Sequence, residues 1–378
     1  MVVEPYLRYL YTLIREFVEE GYTGMDTQDN ALETPYLRNI GLVVTYQCQV
    51  TCPHCILQAG PHRKEKVDLA VALQWIDQVA EYQNGLVWII ALTGGEPFYN
   101  LPVLQELVAR ATQRNLMVTA VTNAFWASTL ERAVKILKSL PGLRLLQIST
   151  DIYHLEAIPF ERVVNAFTAA QTCGIPFSIG ICTQNENEAG YLELKKRLAT
   201  LVDPDLIYTA ITLPVGRAVE TLDRDKYFTS QEPPVSACSA GGSPIIMPDG
   251  RVLACVGPII NLPGNHPLML GNLREESLET ILNRAQTNPI LHAIRVWGPA
   301  RLIRMADQAG LASYLPKIYY GNSVCNACYE MLCAPELIEF FQKLAKDTNF
   351  QREVAYGRVY YLHEPEMAID LGLVAVPR

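Results

Sequence analysis

From Asp68 to about residue 213 the chain switches regularly between two hydrophobic periods. Apolar residues three and four apart predict helices near 68–83, 101–114, 129–139, 159–173 and 190–202. Between them, short apolar runs predict strands at 86–93, 116–122, 144–150, 176–183 and 206–213. A run at 40–46 opens the series and makes six β/α steps. The runs "LVWIIAL", "LRLLQIS" and "LIYTAIT" are almost continuously apolar, as strands are when both faces are covered. Alternation of this kind predicts a parallel sheet with helices outside. It also places functional residues just past the carboxyl ends of the strands.

On either side the pattern changes. Tyr6, Leu7, Leu10, Leu13, Ile14, Phe17 and Val18 share one helical face, so residues 1–39 are expected to form an N-terminal helical extension. Glu4, Glu16, Glu19 and Glu20 interrupt that segment, which is unlike a secretory signal. The most apolar run, Gly85 to Leu92, is too short to span a bilayer. Within 221–378, "PDG" between two apolar pieces predicts a hairpin. The expectation is a cytoplasmic protein with no membrane partner. With 378 residues, 49% of them hydrophobic, the chain can build two domains or one large domain with an appendage. Its formal charge of −8 gives no reason to expect nucleic acid as a partner.

The candidate chemistry lies in the ten cysteines. In a reducing compartment they are not a disulfide framework. "TYQCQVTCPHC" places Cys48, Cys52 and Cys55 at C-x3-C-x2-C, just past the first strand. Chance would produce that spacing with a probability below about 1% at this cysteine content. Zinc and an iron–sulfur cluster are the two groups such thiolates hold. "TGGEP", Thr93 to Pro97, stands past the second strand.

Together these motifs resemble the radical S-adenosylmethionine (SAM) superfamily. The cysteine spacing matches its cluster loop after strand one, and Gly94, Gly95, Glu96 and Pro97 match its "GGEP" motif after strand two. The resemblance covers roughly residues 40–220 and implies an α/β fold, a partial (β/α)6 barrel. It implies a [4Fe–4S] cluster on Cys48, Cys52 and Cys55, with one iron left open for SAM. It implies cleavage of SAM to a 5′-deoxyadenosyl radical that takes hydrogen from a substrate. Gly94 and Gly95 would let backbone approach the methionyl amino group, with Glu96 beside it. His54 takes the position, more often aromatic, whose backbone meets the adenine edge. Ser149 and Asp151, two apart on the fourth strand, are candidates for the SAM ribose or carboxylate, although Asp151 could simply cap the next segment. Thr122 and Asn123 are lesser candidates. Arg217, in "PVGRA" after strand six, could pair with the SAM carboxylate or form a surface ion pair.

A second set comprises Cys238, Cys255, Cys325, Cys328 and Cys333, as C-x11-G-x4-C followed by "CNACYEMLC". It resembles the auxiliary-cluster extension called SPASM in full form and Twitch in half form, and implies a smaller C-terminal α+β domain over 221–378. Five cysteines cannot fill two four-cysteine clusters. One auxiliary [4Fe–4S] cluster on Cys238, Cys255, Cys325 and Cys328 is expected, with Cys333 spare or replacing one of them; a zinc site on the same four is the alternative. Cys173 and Cys182 stand alone and read as packing, although Cys182, near a strand end, could face the cavity. The resemblance implies an external electron donor such as flavodoxin or ferredoxin. It implies a peptide or protein side chain as substrate, with a small metabolite such as an aminocyclitol as the alternative. A non-catalytic iron–sulfur or zinc protein is the reading from another class.

Overall fold

The computed structural model describes residues 37–84, 86–364 and 366–372. The helix expected within 1–39 falls outside the described residues. The chain packs as two compact units, the first built from 40–227 with 247–249 and the second from 228–246 with 250–372.

In the first unit, strands β1 (Asn39–Thr45), β2 (Ile89–Gly94), β3 (Met117–Thr122), β4 (Leu143–Thr150), β5 (Phe177–Thr183) and β6 (Ile207–Ile211) lie side by side in chain order. The pairs from β2–β3 to β5–β6 are all parallel. Between them run α1 (Leu69–Glu81), α2 (Leu101–Gln113), α3 (Leu130–Lys138), α4 (Ile152–Leu155), α5 (Phe160–Thr172) and α6 (Ala189–Ala199), with α7 (Ala218–Thr221) after β6. This is a mixed α/β fold on a parallel sheet, in agreement with the partial barrel expected.

Local chemistry starts the first three helices. Asp68 caps α1 by accepting from the Ala70 and Val71 amides, and Asn100 and Thr129 cap α2 and α3. The buried positions then recur at helical spacing: Ala72, Trp75, Ile76 and Val79 in α1, and Leu104, Leu107, Val108 and Ala111 in α2. The sheet has a helix-covered face, where Phe177 stacks on Phe167 of α5. On alternate positions Val121, Gln147, Ser149, Cys182, Tyr208 and Ala210 are only half-buried. Truncating a fully buried residue such as Leu107 or Ile148 would cost about 2–5 kcal/mol.

Two elements differ from the sequence expectation. Strand β2 starts at Ile89 rather than 86, because the Leu86 amide turns back to the Tyr82 carbonyl. Helix α4 was not expected; Asp151 at the end of β4 nucleates it.

The second unit contains β7 (Thr229–Ser230) paired with β11 (Tyr319–Tyr320), and an antiparallel meander of β8 (Ile245–Ile246), β9 (Arg251–Leu253) and β10 (Met269–Asn272). The expected hairpin is present; Gly250 has φ +91°, and its carbonyl accepts from the Leu273 amide at 2.8 Å. Helices α8 (Leu278–Gln286), α9 (Pro289–Trp297), α10 (Pro299–Ala306), α11 (Val324–Glu330), α12 (Pro335–Leu344), α13 (Thr348–Leu362) and α14 (Met367–Asp370) make up most of the rest. No helix among the described residues is long and apolar enough to cross a membrane.

Candidate functional site: two cysteine sets

The loop after β1 carries Cys48 and Cys52, both buried, and Cys55, half-buried. Its backbone is stapled at both ends: Cys48 N donates to Gly60 O, and Gly60 N to Tyr46 O, each at 3.2 Å. Cys55 N donates to Cys52 O at 3.1 Å, and Ala59 N donates to Cys55 Sγ at 3.3 Å. The turn after β6 clamps this loop. Arg217 donates through Nη1 to Cys52 O at 2.7 Å and through Nη2 to Ala59 O at 2.5 Å, and Thr221 Oγ1 donates to Pro53 O at 2.7 Å. Gly216, at φ +60°, lies so close that a Cβ would stand 2.8 Å from Cys55 O. Arg217 therefore fixes the loop carbonyls, a contact the sequence reading did not anticipate.

The loop suits a cationic inorganic group. Burial pushes the Cys48 thiol up to about 12, and Glu96, Cys52 and Cys55 add to the shift. Thiolates packed this way are unfavourable unless a positive core compensates them. Three soft sulfur donors from one loop, none in a disulfide, fit iron–sulfur ligation. Asn123 Nδ2 donates to Cys48 Sγ at 3.5 Å. The amide's orientation is set by Gln49 Nε2 and Phe125 N, which donate to Asn123 Oδ1 at 2.7 and 3.1 Å.

The "GGEP" segment meets the same loop. A Cβ on Gly94 or Gly95 would collide with the carbonyl oxygen of Thr45 or Gln47, respectively. Their lack of side chains lets Gly95 N donate to Thr45 O at 2.6 Å and Glu96 N to Gln47 O at 3.0 Å. Pro97 is buried at the start of the next helical turn. Glu96 is fully buried. Its Oε1 accepts from Phe98 N at 3.1 Å and Thr122 Oγ1 at 2.9 Å, and its Oε2 accepts from Asn123 N at 2.8 Å. Burial raises its carboxyl to about 7 against these donors. Glu96 thus ties the ends of β2 and β3 together directly behind the Asn123–Cys48 contact.

At the end of β4, Ser149 is half-buried and Asp151 fully buried. Asp151 caps α4, accepting from Tyr153 N at 3.0 Å and His154 N at 2.8 Å, and its Oδ2 lies 2.7 Å from His154 Nδ1. Burial opposes charge on both partners. The pairing outweighs it, holding Asp151 below its ordinary value and His154 well above. The nearby Cys52 thiol adds to the rise in His154. His54 Nε2 lies 3.5 Å from Asp151 Oδ2, but burial lowers this imidazole to about 4 and leaves it neutral, so the contact is not an ion pair. Its buried Nδ1 has no hydrogen-bond partner, and its ring packs 5.1 Å from Tyr153 and 5.3 Å from His154. His54, Asp151 and His154 also form a group able to hold a metal ion. His154 was missed in the sequence; its signal was the i, i+3 spacing from Asp151 in "DIYH". Cys182 was expected to pack or to face the cavity; burial raises its thiol well above the ordinary value, and the charges of Asp151, Cys52 and Cys55 add to the rise. Cys173 ends α5, with Sγ 3.9 Å from Val134 O.

The second unit gathers another set. Burial and then Cys238, Cys328 and Cys325 push the Cys255 thiol well up. Cys328 is raised in the same way by burial, Cys238 and Cys325. Burial and Cys238 raise Cys325 to about 11. These four thiols therefore lie near enough to feel one another's charge, and a cationic centre would offset the cost of ionising them. Cys333 stands apart: it is exposed, donates to Tyr329 O at 3.4 Å, and responds to burial, Glu330 and Tyr329 but to no other cysteine.

Residues 42–198, from β1 into α6, match the Radical SAM superfamily. A protein of Bacillus subtilis (strain 168), provisionally named peptide biosynthesis protein YydG, is 20% identical over 314 residues, or 81% of this chain and 95% of that protein. A crystal structure of BtrN in complex with AdoMet and 2-DOIA covers 69% of this chain and 88% of its own, at 12% identity and a TM-score of 0.39.

Proposed function

We propose that the protein is a radical SAM maturase acting on a peptide or protein side chain, with residues 40–220 as its catalytic domain and 221–378 as an auxiliary-cluster domain of the Twitch type. The observation that carries the enzymatic part is the Cys48–Cys52–Cys55 loop, buried and held by hydrogen bonds from two directions. When bound there, a [4Fe–4S] cluster with one iron free of protein ligands supplies reductive cleavage of SAM. The chain's part is to hold three thiolates, exclude water and orient the cosubstrate. Asn123 donates to Cys48, and Asp151 holds the His154 ring at 2.7 Å beside the same loop. Gly94, Gly95, Glu96, Ser149 and His54 border the same strand ends and are the residues proposed to meet SAM, while Arg217 is proposed to act through the loop. Cys238, Cys255, Cys325 and Cys328 are proposed to hold the auxiliary cluster, leaving Cys333 spare. An external flavodoxin or ferredoxin would supply electrons.

The peptide substrate is supported by the name of the Bacillus subtilis relative, which this chain matches over nearly its full length. The test is anaerobic reconstitution with iron and sulfide, then SAM and a strong reductant. Formation of 5′-deoxyadenosine is the expected result, and its absence in protein with full iron content would reject the enzymatic reading. Candidate peptides are then screened by mass spectrometry for loss of two hydrogen atoms. Turnover of a small hydroxylated metabolite instead of any peptide would replace the maturase with a dehydrogenase.

A further inference from the structure

In the second unit, a buried charge network stands behind one cysteine of the four. Cys238 opens the turn Ser239–Gly242, and its amide donates to Ile294 O at 3.1 Å, one residue before Arg295 on α9. Gly241 lies directly on the Arg295 side chain, where a Cβ would stand 2.9 Å from Cγ. Arg295 is 6% exposed. Its Nη2 lies 2.6 Å from Glu364 Oε1, and its Nη1 lies 2.8 Å from His292 Nδ1. The other Glu364 oxygen accepts from Arg358 Nε at 2.5 Å, and Arg358 Nη1 donates to Gln286 O at 2.8 Å. His292 Nε2 lies 3.1 Å from Ala285 O, and burial together with Arg358 and Arg295 keeps the ring neutral.

Two guanidinium groups face one carboxylate and one neutral imidazole, so the network carries one net positive charge in a dry interior. Such an excess charge is unfavourable unless a negative group lies within reach. Four thiolates around a cluster are such a group, and more so after the cluster gains an electron.

We infer that Arg295 acts through Cys238 as a positioning residue for electron acceptance, its buried network raising the reduction potential of the group held by Cys238, Cys255, Cys325 and Cys328. The inference rests on the auxiliary-cluster reading above. In a net oxidation, a substrate that has lost one hydrogen atom must lose one further electron, with a proton passing to solvent, to become closed-shell. A raised potential makes the auxiliary cluster the better one-electron oxidant for that step.

The test uses the full chain with Cys48, Cys52 and Cys55 all changed to Ala, so that only the second site holds iron. Its midpoint potential is read by redox titration with electron paramagnetic resonance. Arg295→Met is expected to lower the reduced-to-oxidised ratio about tenfold at fixed potential, about 59 mV for one electron. Arg295→Lys, which keeps the charge, should stay nearer the parent, and Glu364→Gln should shift the potential upward. If the parent holds no iron–sulfur cluster, the auxiliary reading itself fails. If it holds one and the Arg295→Met and Glu364→Gln proteins titrate with it, the inference is overturned. Should Arg295→Met not fold, Glu364→Gln decides: an upward shift sustains the inference, and no shift or a downward one removes it.

Discussion

The first unit takes its three thiols from one eight-residue loop, whereas the second draws four from three separate segments. Gly60, Arg217 and Thr221 all hydrogen-bond the loop's backbone. The second set has less local scaffolding, since Cys238, Cys255 and the pair on α11 come together only when the whole unit folds. The surroundings also differ in charge. Glu96 and Asp151 are buried beside the first set, and Arg295 and Arg358 are buried in the second unit. A preformed loop can lose its metal and keep its fold. A set assembled across a unit makes metal binding part of that unit's folding energy.

Removing the first set tests this most severely. Changing Cys48, Cys52 and Cys55 together to Ala should abolish 5′-deoxyadenosine formation. About four of about eight irons per chain should remain, with thermal stability nearly unchanged. Zinc in place of the remaining iron would break the comparison, because both sets would no longer be iron–sulfur sites. Next in size is Cys328→Ala. Turnover of substrate should vanish and the unfolding temperature of the metal-loaded protein should fall by several degrees, while slow substrate-free SAM cleavage with dithionite continues. If that cleavage also stops in folded protein, the two sets are not independent.

Glu96 gives a smaller effect with a defined pH window. Burial raises its folded-state carboxyl from 4.5 to about 7, so the native state binds this proton more tightly than the unfolded one. Its contribution should therefore fall by about 3 kcal/mol as pH rises from about 4.5 to about 7. The stability difference between wild type and Glu96→Ala in the metal-free protein, followed by denaturant titration, should shrink across that interval. A flat difference would show the carboxylate ionised throughout. The same variant should keep both clusters and bind SAM poorly by calorimetry. Asn123→Ala follows, with a loss of about 1 kcal/mol for the hydrogen bond to Cys48 and a shift confined to the first cluster's potential.

Much of this was legible in the sequence because the signals were periodic. The buried faces of α1 and α2 and the apolar runs of β3 to β5 are written at fixed spacing, and the structure places those elements within a few residues of expectation. Side-chain partners were not legible. Arg217 reaches the loop across more than 150 residues of sequence, and Gly94 and Gly95 are small because the end of β1 passes over them. Alternation put Ser149 and Asp151 on one face, and a cap by Asp151 stood among the expectations, but its hold on His154 did not. Cys182 looked isolated because its neighbours come from other strand ends.

The smallest expected effect concerns Cys333, and it separates assembly by spacing from assembly by geometry. In sequence Cys333 lies only five residues past Cys328, close enough to serve as a substitute ligand. In the structure its thiol is exposed and bonds the Tyr329 carbonyl, and Glu330, rather than another cysteine, is the charge that affects it. A sulfur in that position gains little by ionising, since burial and Glu330 oppose it. Cys333→Ala should therefore keep full iron content, an unchanged unfolding temperature and unchanged turnover. The same geometry makes a second demand: Cys328→Ala should lose its cluster outright, because Cys333 cannot swing in without unwinding the turn that follows α11. Iron retained in Cys328→Ala but lost when Cys333→Ala is added would mean that this turn does rearrange. The second set would then be plastic, as expected of thiols that come together only when the whole unit folds.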